Sequence, residues 1–172
     1  MDDIVRQALL KWPDVPDCRG WLRLTRRGEW RVPAGPVHHA GLAAFIGRNY
    51  AMDNTGRWFF QNGPQKVFVS LDYMPWVLRR TPDGRLVTHT GLPVEHLHGA
   101  WLDEEGSLLL HCEHGPAVLD DRDLAKMAED LAGDLEDASA PLSLDWQGTP
   151  LPVGRLTRAE VPARFGFVAE PA

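Results

Sequence analysis

Along most of this chain, short apolar runs alternate with polar breaks, and one kind of break recurs. Two or three polar residues, a glycine and one further residue precede an apolar strand at Gly28 (TRRGEW), Gly56 (DNTGRW), Gly84 (TPDGRL), Gly106 (DEEGSL) and Gly148 (DWQGTPL). Glycine takes positive φ without steric penalty, so each phrase predicts a β-hairpin turn. Around them the pattern predicts strands over 21–24 and 29–32, 58–60 and 66–72, 76–80 and 85–89, and a hairpin about Gly106. In 66–72, Val67, Val69 and Leu71 fall on one face and Phe68 and Ser70 on the other, and the first set reads as core.

Helical spacing is rarer. Ile4/Val5, Ala8/Leu9 and Trp12 predict an N-terminal helix that Pro13 and Pro16 stop. Val37, Ala40/Gly41, Ala44/Phe45 and Arg48 predict a short helix near 37–48. Leu124, Met127/Ala128, Leu131 and Leu135 form one apolar stripe over 121–136, with an acidic outer face and Asp120 or Asp121 as cap. Thr157 and Glu160 have the spacing of a capping box. The pattern is that of an α+β protein rich in antiparallel hairpins. The stretch 91–99 reads as a boundary, giving a β-rich half over 1–93 and a second half over 94–172 packed as one body. A loose likeness of Trp30, Gly35, Pro36 and Val37 to Trp146, Gly148, Pro150 and Leu151 points to a structural duplication.

Composition narrows the class. Of the 172 residues 44% are hydrophobic, enough for a real core, and no apolar run approaches the ~18 residues of a membrane helix. The first residues lack the apolar stretch of a signal peptide, so a cytoplasmic location without membrane attachment is expected. Cys18 and Cys112 are too few for a disulfide scaffold and have no metal-finger spacing. Charge is uneven: residues 1–90 carry a net +5 and residues 91–172 a net −11. Such a split fits two halves that attract each other, or a dipolar surface that favours head-to-tail self-association, a homodimer included; nucleic-acid binding is not expected, since the acidic half repels phosphate.

Catalytic signatures are sparse. The sequence holds no P-loop, no GxGxxG and no GxSxG, and none of its four serines sits on a glycine-flanked elbow. The carboxylates cluster in turns and at a helix start. Two surfaces remain. His96 and His98 precede a hairpin and His111, Glu113 and His114 follow it, so the two groups can meet around zinc or iron, although histidines at strand ends are ordinary surface polarity. The segment 45–76 mixes Arg48, Arg57 and Lys66 with Asn49 and Asn62 and with Tyr50, Trp58, Tyr73 and Trp76, a blend suited to an anionic or flat ligand and equally to a sheet with an aromatic core.

Residues 12–31, 45–79, the triplet 89–91 and the stretches AWLDEEGSLLL and LDDRDL resemble an uncharacterised proteobacterial family of about this length. A more distant resemblance is carried by Trp30, Gly35, Pro36, Val37, Asp53, Gly56, Trp58, Asp72, Pro75 and Trp76. It is to a second family of unknown function, α+β proteins with repeated structural motifs and a proposed signalling role. Gln65 and Lys66 depart from that pattern, which separates any shared ligand from the shared fold.

These readings converge on a non-enzymatic cytoplasmic module that binds a small ligand or a protein, with a regulatory or signalling role and no cofactor. A metal-dependent, hydrolase-like enzyme built on the His/Glu cluster and a self-associating scaffold are the alternatives.

Overall fold

The computed structural model describes every residue except Glu136, Ala138, Ser139 and Ala172. In chain order the elements are α1 (Asp3–Lys11), β1 (Cys18–Leu24), β2 (Trp30–Val32), β3 (Gly35–Pro36), α2 (Ala40–Arg48), β4 (Tyr50–Met52), β5 (Trp58–Asn62), β6 (Gln65–Leu71), β7 (Trp76–Arg80), β8 (Leu86–Thr88), β9 (Pro93–Val94), β10 (Leu97–Leu102), β11 (Leu108–Cys112), β12 (Gly115–Leu119), a 3-10 turn (Asp121–Asp123), α3 (Leu124–Ala128), β13 (Leu131–Ala132), β14 (Leu142–Trp146), β15 (Thr149–Arg155) and α4 (Val161–Phe165). The protein is α+β, with two large mixed sheets. No helix among the described residues is long and apolar enough to cross a membrane.

All five predicted glycines have positive φ, between 78° and 83°. Four of the turns share one geometry. The glycine N–H donates to the carbonyl three residues back (Gly28 to Thr25, Gly56 to Asp53, Gly84 to Thr81, Gly106 to Asp103). The N–H of that earlier residue donates to the carbonyl just past the glycine, at Glu29, Arg57, Arg85 and Ser107. Thr25, Asp53 and Asp103 add a side-chain oxygen that accepts the returning N–H, of Glu29, Arg57 and Ser107. This is a type I turn closed by a glycine bulge, and it needs Thr or Asp at its first position and glycine at its fourth.

A fifth copy of this geometry stands at Thr88–Leu92: Gly91 has φ 87°, its N–H donates to the Thr88 carbonyl, and the Leu92 N–H returns to the Thr88 hydroxyl. It joins β8 to β9, so the stretch read as a boundary near 91–99 contains a hairpin turn. The chain instead divides into one unit of Met1–Pro75 with Gly166–Ala172 and another of Trp76–Phe165.

Each unit is assembled from three-stranded antiparallel meanders: β1–β2–β3 and β4–β5–β6 in the first, β7–β8–β9, β10–β11–β12 and β13–β14–β15 in the second. One joining rule is used three times. The first strand of a meander lies parallel to the last strand of the next, as β1 with β6, β7 with β12 and β10 with β15. The repetition is therefore of meanders, and Trp30 and Trp146, aligned in the sequence, both fall in a middle strand.

The first unit's core holds Leu22, Leu24, Ile46, Phe60, Val67 and Val69, and the second's Leu78, Leu86, Leu108, Leu110, Leu144 and Val161. Phe68, assigned to the outer face of its strand, is buried as well, because the Arg57 and Arg19 guanidinium groups lie over its ring at 4.5 and 5.2 Å.

The acidic helix expected over 121–136 is cut short. It begins as a 3-10 turn capped by the Asp120 side chain and ends at Ala128. Leu131 and Ala132 then pair with β14, and Gly133 takes φ 122° where a Cβ would lie 2.5 Å from the Pro141 carbonyl oxygen. A sheet edge captures the leucine that continues the apolar stripe. Residue 136 lies outside the described residues.

Candidate functional site

The segment 45–76 is mostly interior. Tyr50 and Trp58 are buried and stacked, with ring centroids 4.7 Å apart, and the edge of Trp30 meets Tyr50 at 5.1 Å. The Tyr50 hydroxyl donates to the Pro75 carbonyl, and burial raises its pKa well above the usual phenol value. Asn49 is buried and ties α1 to α2: its Oδ1 accepts from the Asp2 N–H and its Nδ2 donates to the Phe45 carbonyl. Arg48 pairs with Asp2. Arg57 pairs with Asp53, whose carboxylate also accepts from the Thr55 N–H and hydroxyl. Burial alone would raise the Asp53 pKa, but these hydrogen bonds hold it well below the usual carboxylate range. The Lys66 ammonium lies 5.0 Å over Phe59, and Arg26 covers the buried Tyr73. Asn62 is exposed at the β5–β6 turn. Trp76, also buried, belongs to the second unit, against His89 and His114. The structure therefore uses these residues in packing and turn closure.

The histidines divide. His98 and His111 stand beside each other, ring centroids 5.8 Å apart. The Glu113 carboxylate accepts from the Glu95 and His96 N–H groups, and His114 Nε2 lies 2.8 Å from the Pro93 carbonyl. Among the described residues no group of three or more His, Cys, Asp and Glu is arranged to hold a metal ion. His89, which the sequence did not single out, is half-buried and accepts from the Val77 N–H through Nδ1; desolvation pushes its pKa down to about 3.

The better-formed site lies on the outer face of the first unit's sheet. Leu22 and Leu24 point inward, so Trp21 and Arg23 point out. Arg31 of β2 is directly opposite Arg23, and Ser70 of β6 stands on its other side in parallel register. Two arginines and a serine thus form one row across three strands. They line a cavity of about 400 Å3 together with Trp21, Gly35 and Glu170. At its mouth β1 departs from regular register with β6 between Cys18 and Leu22, Gly20 takes φ 68°, and Trp21 keeps 43% of its surface exposed.

Its electrostatics are asymmetric. Arg23 donates to Asp72 at 2.7 Å and to Glu170 at 2.9 Å. Arg31 is exposed, and its side chain has no ion pair or hydrogen bond among the described residues. Like charges directly opposite on neighbouring strands repel. Arg23 is neutralised by its two carboxylates, and Arg31 is left as a cation facing the cavity.

Comparison with known proteins now places the chain. The family model DUF2944, described as "Protein of unknown function (DUF2946)", matches residues 1–172. The chain belongs to this family. Among solved structures, this DUF2944 chain is similar to a DUF1285 family protein from Silicibacter pomeroyi DSS-3, at 17% identity and TM-score 0.58 over 88% of this chain and 94% of that one. It is also similar to a DUF1285 family protein from Shewanella baltica OS155, at 15% identity and TM-score 0.48 over 63% of this chain and 90% of that one. No curated protein matches. At such identity the Silicibacter likeness is one of fold. Sequence reading missed the groove of this DUF2944 chain because its row is made by long-range pairing. The legible part of the signal was local: Trp21 and Arg23 share the polar side of a strand whose other side is apolar.

Proposed function

We propose that this protein is a non-enzymatic binding module that holds an aromatic carboxylate in the groove between Trp21 and Ser70. The observation that carries the reading is Arg31, a cation without a carboxylate partner on the wall of a cavity large enough for a small ligand. Arg23 already donates to one carboxylate of the groove wall, that of Glu170, which supports carboxylate as the matching chemistry. The exposed Trp21 ring offers a flat apolar face beside it, and the Ser70 hydroxyl a further donor. A regulatory role in the cytoplasm belongs to the same proposal, and the two free thiols of Cys18 and Cys112 suit a reducing compartment.

Calorimetric titration with benzoate and phenylacetate tests it. Wild-type protein is expected to bind saturably, R31A to weaken binding about tenfold and R31E to abolish it, as loss of a charge-assisted hydrogen bond implies. Unchanged affinity in R31E would remove the groove from consideration.

A further inference from the structure

The second unit presents a cluster of its own. The Trp101 indole lies flat across two glycines. A Cβ at Gly99 would stand 2.4 Å from the ring, and one at Gly154, its parallel partner on β15, 2.6 Å from it. Phe165 of α4 meets this ring edge-on at 5.1 Å, and the Arg164 guanidinium lies 5.7 Å above it. Gly99 pairs with His111 on β11, and the register of β10 shifts between Leu97 and Gly99. His98 sits in that irregularity, which turns its side chain toward the His111 ring. Phe165 also touches His111, at 6.0 Å.

Two imidazoles and a guanidinium thus surround an aromatic platform, and among the described residues none of the three has a carboxylate partner. Glu113, two residues beyond His111 in the turn between β11 and β12, accepts from the Glu95 and His96 N–H groups with its carboxylate. Pro116 stands opposite His111 on β12. Burial first, then the neighbouring His98 and Arg164, lower the pKa of His111.

We propose that this face binds the phosphate group of a phosphorylated ligand, with Arg164, His98 and His111 on its oxygens and the ligand's ring or apolar part against Trp101. A phosphate monoester fits better than a carboxylate, because it presents three acceptor oxygens to three separate donors. This site is independent of the groove between Trp21 and Ser70, which has no histidine in its lining.

The test follows the imidazole nitrogen and carbon resonances of His98 and His111 in the full chain by NMR, during titration with inorganic phosphate at constant ionic strength. Both histidines are expected to shift saturably. Phenyl phosphate should bind tighter than inorganic phosphate. R164Q, an exposed change, should weaken binding about tenfold, while R31E in the groove leaves it unchanged. Unshifted histidines, or wild-type affinity in R164Q, would overturn the proposal. The wild-type titration decides the matter even where a histidine variant folds poorly.

Discussion

Changing Gly56 to alanine is expected to destabilise the first unit by about 2–4 kcal/mol, whereas the same change at Gly106 should cost only about 1 kcal/mol. Both glycines occupy the fourth position of the same turn, with φ 82° and 80°. A left-handed alanine carries a similar intrinsic penalty at either place. Their surroundings differ. Around Gly106 nothing lies within 4 Å of an added Cβ. At Gly56 the Cβ would stand 2.4 Å from the Gly166 carbonyl oxygen and 3.2 Å from the Phe167 Cα, and both are backbone atoms. The chain passes here on its return to the first unit: the Val168 N–H donates to the Gly56 carbonyl, the Leu71 N–H donates to the Ala169 carbonyl, and Phe167 is buried. The overlap can be relieved only by lifting this segment away. Urea unfolding of the two variants measures the difference, and hydrogen exchange at the Val168 amide should accelerate in the Gly56 variant alone. Equal destabilisation of the two would show that the close approach contributes nothing.

The second large effect is expected at Asp120. Its side chain is fully buried at the end of β12. One oxygen accepts from the Arg122 N–H and Nε, and the other from Arg122 Nη2 at 2.6 Å, with Arg79 Nε 3.5 Å away. Asp123 beside it accepts from Arg79 and from the Arg80 N–H, so the carboxylates and arginines form one network at the start of the shortened helix. D120N keeps the shape and removes the charge. It should lower stability by about 2–3 kcal/mol, less than for a pair buried on both sides because Arg79 and Arg122 reach solvent.

The same residue sets an acid response. Burial favours the protonated carboxyl, yet the hydrogen bonds and charge of Arg122, with Arg79, outweigh it and hold the Asp120 pKa below its unfolded value. A depressed folded pKa contributes stability that is fully present above about pH 4 and is lost as pH falls through the folded value. Asp53 in the first unit is shifted in the same direction. Wild-type stability should therefore fall steeply below about pH 4, and D120N should show a shallower fall. Parallel curves would mean that Asp120 is not a source of the acid response.

What could be read in advance was whatever neighbouring residues decide. A threonine or aspartate that accepts a returning N–H, followed by a glycine, specifies its turn within five residues. For that reason four of the predicted turns and a further one at Gly91 share this geometry, while the turn at Gly148 closes over two residues, Gln147 and Gly148, both at positive φ. The helices over 3–11 and 40–48 were legible for the same reason, since their apolar spacing and caps are local. The stripe over 121–136 failed where locality failed, because pairing with β14 takes Leu131 out of the helix.

The candidate sites lay beyond such reasoning. Tyr50, Trp58 and Tyr73 have the residue types of a ligand pocket, and only their burial identifies them as core. Arg23, Arg31 and Ser70 belong to three separate phrases of the sequence, and the parallel pairing of β1 with β6 and the antiparallel pairing of β1 with β2 set them in one row. His98 meets His111 only through a register shift in β10. Thus the sequence by itself determined the α+β class, the hairpins and their turns, because torsional preference and side-chain capping act over a few residues. Tertiary structure alone decided the order of the meanders, the interior role of the aromatics, the row of Arg23, Arg31 and Ser70 and the cluster of His98, His111 and Arg164, because strand pairing selects which distant residues become neighbours and burial selects which of them keep contact with solvent.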